Sequence, residues 1–205
     1  HESRLLHHGA GGRMMTATGL EGGFVDPPID SARTFRLVLN AMAQPGSIET
    51  VDTAQPPAPL CAAAGAVLLT LADHETPIHL AGDADSKALR DWIAFHTGAP
   101  ITDSSQADFA IGTWADLMPL DQYRTGTAAY PDRSVTLIVL HQRLTAKGIS
   151  LCGPGIETTA HLTLPDAGFL DFNAARFPLG IDMILTDGAR LAAVPRSTRR
   201  AGTEG

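Results

Sequence analysis

The sequence is poor in the residues that build disulfide, metal and Schiff-base chemistry. Among 205 residues there are two cysteines, Cys61 in an alanine-rich helical run and Cys152 at the end of a strand-like run. Two such thiols make neither a disulfide framework nor a metal quartet, and they read as reduced thiols of a cytoplasmic protein. Lysine is equally scarce, with Lys87 in a polar helical turn and Lys147 in the turn "TAKG". A Schiff-base lysine has to be desolvated to lower its pKa, and neither neighbourhood promises burial, so pyridoxal phosphate (PLP) catalysis is not expected. The segment "HETPIH" imitates a zinc helix, but His74 and His79 are five apart and Pro77 would break the turn that places two imidazoles on one face. No metal site is expected.

Long hydrophobic runs are also missing. The longest, Leu60 to Ala72, is interrupted by Gly65 and Thr70 and falls well short of the ~20 residues that cross a bilayer. No membrane partner is expected. The formal charge of -7 is spread along the chain, and basic residues gather only in "RSTRR" near the C-terminus. That leaves no broad electropositive face for a phosphate backbone, which excludes nucleic acid as a partner. Neither a P-loop, a full G-x-G-x-x-G nor a G-x-S-x-G elbow occurs, so nucleotide binding of the P-loop type and the common serine-hydrolase reading have no motif in place. Residues 1–22 lack a continuous apolar stretch and are rich in Gly and His, and they read as a flexible leader or an expression remnant.

What is present is a pattern of alternating helices and strands. Asp30 or Ser31 can cap a helix over 31–43 with Phe35, Val38, Leu39 and Met42 on one stripe, ended by "QPG". A strand at Ile48–Val51 and a buried helix over 60–72 follow. Then "TPIHLA" reads as a strand, "DADSKALRDWIAFHTG" as a capped amphipathic helix and "ADFAIG" as a strand, and a short helical piece falls at "TWADLM". "SVTLIVLHQ" is almost continuously apolar and fits the middle of a sheet. "GISLCGPGIETTAHLTL" reads as strand, turn and strand, and "PDAGFLDFNAARFP" as a helix. "IDMILTDGARLAAV" is a hairpin with Asp187-Gly188 as its type I′ turn, so that Asp182 faces Ala193. The fold class expected is α/β, one domain over 23–200 with a mixed sheet flanked by helices, and a short tail at 201–205.

Three polar clusters are candidates for a ligand or partner surface. Arg33 and Arg36, three apart on the first helix, can hold an anion or an acidic partner together, or can simply be a solvated face. In "LCGPGI", residues Cys152, Gly153 and Gly155 can let backbone N–H groups approach a ligand, or can form a plain tight turn. Asp182 and Arg196 fall at the open end of the hairpin, where an ion pair is the structural reading and an anion or partner contact the functional one. None is a catalytic signature, and the catalytic residues stay unknown.

Six segments, taken in order, resemble a known family. They are "FRLVLNAMAQPG", "LLTLADHETPI", "FHTGAP", "TGTAAYPDRSVTLIVL", "LCGPGI" and "FPLGIDMILTDGARLAAVPRST", running from about residue 24 to residue 198. They are similar to the PhnH family, a component of the bacterial carbon–phosphorus (C-P) lyase system. The resemblance implies a cytoplasmic protein of phosphonate breakdown that works with the G, I and J subunits of that system and with its ATP-binding L component. The step implied replaces the adenine of ATP with a phosphonate, giving ribose 1-methylphosphonate 5-triphosphate. It further implies a fold akin to the large domain of PLP-dependent transferases without the cofactor, and a homodimer when isolated. A purely structural adaptor of the same complex is the alternative. The family carries over no established catalytic residues.

Overall fold

The structure is a computed structural model and describes residues 20–141 and 143–202. Helix α1 spans Pro27–Ala43, four residues earlier than the stripe alone suggests, and its N-cap is Asp26, whose carboxylate accepts from the Ile29 N–H at 3.5 Å. Pro27 and Pro28 have no N–H to leave unsatisfied in the first turn, so they start the helix where neither Asp30 nor Ser31 does. Strand β1, Glu49–Thr50, is shorter than expected. Helix α2, Ala62–Leu71, buries Ala63 to Leu68, as its all-apolar sequence requires. Strand β2 is Ile78–Leu80, helix α3 Lys87–His96 is capped by the Ser86 hydroxyl, and β3 is Phe109–Gly112. A one-turn helix α4, Trp114–Leu117, precedes β4, Thr136–Leu140. Then come β5, Ile149–Cys152; β6, Ala160–Leu162; helix α5, Gly168–Ala174; β7, Asp182–Asp187; β8, Arg190–Val194; and β9, Arg199–Arg200.

Six strands form one mixed sheet in the order β1-β8-β7-β4-β3-β2. The run β2-β3-β4-β7 is parallel, and β8 and β1 close one edge antiparallel. The apolar β4 sits in the interior, as its composition predicts. A single sheet was expected, but β6, β5 and β9 form a second, three-stranded antiparallel sheet. The side chains alternate cleanly between two cores, as the period of two in a strand dictates. Ile138, Ile184, Leu191 and Ala193 point to α1, α2 and α3, where Trp92, Leu89 and Val67 pack. Leu137, Val139, Met183, Leu185 and Val194 point the other way, onto α4, α5 and the small sheet, through Leu117, Phe169, Leu151 and Leu162. No helix among the described residues is long and apolar enough to cross a membrane.

The hairpin register differs from expectation by two residues. Ile184 faces Ala193 and Thr186 faces Leu191, and Asp187 pairs with Arg190 as the last ladder step. The turn is therefore Gly188-Ala189. Gly188 has φ +61° and no non-glycine residue among the described residues, Ala189 included, has positive φ, so the two left-handed residues of a type I′ turn are not both present. Asp187 stays in the ladder because its carboxylate accepts from the Leu144 N–H at 3.0 Å and from the Arg190 guanidinium. A shift of two leaves each side chain on its expected face.

The expected leader covers residues 1–22, of which 1–19 lie outside the described residues. Residues 20–22 are tied to the body instead of being loose: the Leu20 carbonyl is 2.9 Å from His96 Nε2, the Glu21 carbonyl accepts from Trp92 Nε1 at 3.0 Å, and the Gly22 carbonyl accepts from the Gln55 N–H. In the expected tail, the Ala201 N–H donates to the Ser150 carbonyl at 2.9 Å; residues 203–205 lie outside the described residues.

Candidate functional site

The hairpin end is built around Asp182. Its Oδ1 accepts from the Arg196 N–H at 2.8 Å and from Nε at 3.2 Å, and its Oδ2 accepts from Nη2 at 2.5 Å. The two side chains are 15% and 18% exposed. Arg196 reaches further, donating from Nη1 to the Pro131 carbonyl at 2.6 Å and from Nη2 to the Ser134 hydroxyl at 2.5 Å. The guanidinium therefore pins the loop before β4 to the end of the hairpin. Alongside, Asn173 on α5 grips the Ile181 peptide from both sides, at 2.9 Å each way. Gly180, at φ +148°, fits between because a Cβ there would lie 2.5 Å from Asn173 Oδ1 and 3.2 Å from Arg196 Cβ. Sequence reasoning missed Asn173, Ser134 and Pro131. An asparagine inside a short helix is the only local sign that could have flagged one of them.

This network lies at the amino ends of the parallel strands, since Asp182 pairs with Thr136 at the start of β4. In open parallel sheets ligands sit outside the carboxyl ends. Four of the five Arg196 guanidinium N–H groups have protein acceptors, and the pair fastens the hairpin end to the loop before β4.

The "LCGPGI" cluster is a close-packed turn. Gly153 has φ +131° and a Cβ there would lie 3.0 Å from the Ser197 carbonyl; Gly155 has φ +81° and a Cβ would lie 1.9 Å from the Ala43 carbonyl oxygen. The turn is pressed against the end of α1, and a shallow cleft of about 390 Å³ runs between Gln44–Ser47 and Gly155–Ala160. Cys152 is half-buried and pairs in register with Arg199. The structure thus brings Cys152 and Gly153 beside the 196–199 segment, joining two of the three sequence clusters. Arg33 and Arg36 stay apart from both: they are exposed on α1, and Arg36 Nε donates only to the Ala32 carbonyl, at 3.4 Å.

At the carboxyl ends of the parallel strands, Thr113 donates to Asp116 at 2.6 Å, and the Asp116 carboxylate packs where a Gly82 Cβ would be. His141, just past β4, has a buried Nε2 without a hydrogen-bond partner. Burial holds its pKa below the usual 6.5, opposed by a hydrogen bond with the Arg143 backbone and by the Asp187 charge. No hydrogen bond joins His141 to Asp116 among the described residues. Lys87 is 83% exposed and pairs with Asp91, and Lys147 is exposed. No group of three or more His, Cys, Asp or Glu among the described residues is arranged to hold a metal ion.

The family is given by comparison. The family model described as "Bacterial phosphonate metabolism protein (PhnH)" matches residues 22–201, and the chain belongs to the PhnH family. A relative from Rhizobium meliloti (strain 1021), "Alpha-D-ribose 1-methylphosphonate 5-triphosphate synthase subunit PhnH", is 42% identical over 189 residues, covering 87% of this chain and 94% of that protein.

Proposed function

We propose that this chain is a subunit of the assembly that makes ribose 1-methylphosphonate 5-triphosphate in phosphonate catabolism, supporting transfer of the ribose triphosphate moiety of ATP to a phosphonate alongside the G, I, J and L components of the C-P lyase system. The observation that carries this reading is the 42% identity to the Rhizobium synthase subunit over 94% of its length. Within the assembly the chain acts through its surfaces, a reading close to that of a structural adaptor and favoured by an Asp182–Arg196 pair whose donors are already taken up inside the fold.

The isolated protein is a cytoplasmic homodimer in this account. Val25, just before α1, is 95% exposed, and Ile29, Phe35 and Leu39 on α1 are 65%, 46% and 50% exposed, an apolar surface of the kind that marks a contact. Beside it lies a cleft of about 480 Å³ lined by Phe24, Pro27, Pro28, Phe35 and Leu69. Any likeness to the large domain of PLP-dependent transferases is architectural in this reading. In this reading the chain works without PLP, because Lys87 and Lys147 both lie in solvent and neither offers the desolvated amine that a Schiff base needs.

Titrating the isolated chain with ATP, methylphosphonate and ribose 1-methylphosphonate 5-triphosphate tests the division of labour. Binding of none of them by the free chain, together with loss of synthase activity when the chain is withheld, is the expected result; full activity without the chain contradicts the proposal.

A further inference from the structure

Three arginines sit over aromatic rings around the amino end of the sheet. The Arg133 guanidinium lies 4.2 Å from the Tyr130 ring centre, Arg176 lies 3.7 Å from that of Phe172, and Arg199 lies 4.8 Å from that of Phe177. Tyr130 and Phe177 are 52% and 58% exposed, although rings of this size are ordinarily drawn into the core. The three stacks are parts of one surface. The Gly180 N–H donates to the Thr125 carbonyl at 3.0 Å, tying the 176–180 segment to the loop that carries Tyr130. Arg196 reaches the Pro131 carbonyl in that loop while its own carbonyl accepts from Arg199 Nη1 at 2.7 Å.

None of Arg133, Arg176 and Arg199 forms an ion pair among the described residues; the pairs there use Lys87, Arg90, Arg124, Arg190 and Arg196. Asp132 and Asp171 lie in the same segments without pairing to them. In a chain of net charge -7, three unpaired cations on one face need an explanation. A guanidinium stacked over a ring has its orientation settled before binding; Arg176 and Arg199 each spend Nη1 on backbone carbonyls, of Phe172 and of Arg196 and Thr198, and meet a carboxylate through their remaining N–H groups. Arginine and tyrosine are also the residue types enriched among the dominant contributors to protein interfaces.

Resting on the proposed role as an assembly subunit, we propose that the surface formed by Tyr130, Arg133, Phe172, Arg176, Phe177 and Arg199 docks a carboxylate-rich surface of another subunit of the same assembly. A protein partner fits better than a small polyphosphate. Each guanidinium sits over its own ring, and the exposed Tyr130 and Phe177 rings add apolar area that a polyphosphate would leave uncovered. The unpaired arginines supply the complementary charge and the exposed rings the apolar area.

The test uses the full chain and the other subunits of the synthase, purified together at low and at physiological salt. Arg133→Glu with Arg176→Glu, both at exposed positions, is the main variant; adding Arg199→Glu makes the triple change, and Lys147→Glu is the control. The affinity of the main variant for the remaining subunits is expected to fall at least about 30-fold, with unchanged circular dichroism and unchanged mass of the isolated chain, while the control assembles like the wild type. Wild-type affinity should fall as salt rises, and that of the variant should respond less. Assembly of both charge-reversed variants at wild-type affinity overturns the docking surface alone. Failure of the wild type to assemble overturns it together with the proposed function. Saturable binding of inorganic tripolyphosphate that the main variant loses, with assembly intact, assigns the arginines to a small anion and also overturns it.

Discussion

Arg196 meets the Asp182 carboxylate with three donors, its own backbone N–H and two guanidinium nitrogens, at 2.8, 3.2 and 2.5 Å. Two further hydrogen bonds, from Nη1 and from the same Nη2, run on to Pro131 and Ser134. One side chain thus holds the hairpin end, the start of β7 and the loop leading into β4. Removing either partner leaves a mostly buried charge unpaired, which typically costs about 3–5 kcal/mol, whereas an exposed pair is worth under about 1 kcal/mol. Arg196→Gln is therefore expected to destabilise by about 2–4 kcal/mol in urea unfolding. The cycle with Asp182→Asn should give a coupling above about 1 kcal/mol. Simple additivity of the two single changes would mean that the pair contributes nothing of its own.

Two glycines with similar backbone angles separate conformational cost from steric cost. Gly188 has φ +61° and no atom within 4 Å of a built Cβ, whereas Gly155 has φ +81° and the Ala43 carbonyl oxygen at 1.9 Å. Gly188→Ala is expected to cost about 1–2 kcal/mol, the ordinary penalty of a left-handed alanine. Gly155→Ala must in addition separate the 153–156 turn from the end of α1, and should cost at least twice as much. Equal shifts in the urea midpoints of the two variants would refute the close packing of that turn.

Burial keeps His141 neutral in the fold, so its folded pKa lies below the unfolded value near 6.5. The unfolded chain then binds the extra proton more readily, and stability contributed by this histidine is present above pH 6.5 and lost as the pH falls below it. His141→Gln should flatten the fall in melting temperature between about pH 7 and pH 5. A parallel fall in variant and wild type would place the acid sensitivity in other groups.

The elements that sequence could announce are those with a local signal. The apolar β4, the capped α3 and the β7–β8 hairpin each carry periodicity or turn chemistry within a short stretch of chain, and each is in place, the hairpin with its turn moved to Gly188-Ala189. The hairpin register was hidden because what keeps Asp187 in the ladder is a hydrogen bond from Leu144, 43 positions away in the chain. Strand β9 was invisible because two arginines show no apolar alternation, and it exists only by pairing with Leu151 and Cys152. The Asp182–Arg196 contact was legible, since hairpin geometry places both at one end whichever register holds. Its extension to Ser134, 62 positions from Arg196, depends on how distant segments pack and leaves no local trace, and the grip of Asn173 on Ile181 is signalled only by an asparagine inside a short helix. The arginine–aromatic face is of the same kind: Arg176 and Phe177 are neighbours in sequence, yet the ring beneath Arg199 is Phe177.

The central claim, that this chain is a working subunit of the synthase, is tested most directly by following the reaction of ATP with methylphosphonate by phosphorus NMR, using the other subunits with and without this chain. The account predicts that ribose 1-methylphosphonate 5-triphosphate accumulates only when the chain is present, and that Arg133→Glu with Arg176→Glu fails to restore it fully. Product formed at the same rate in the absence of the chain would contradict the account.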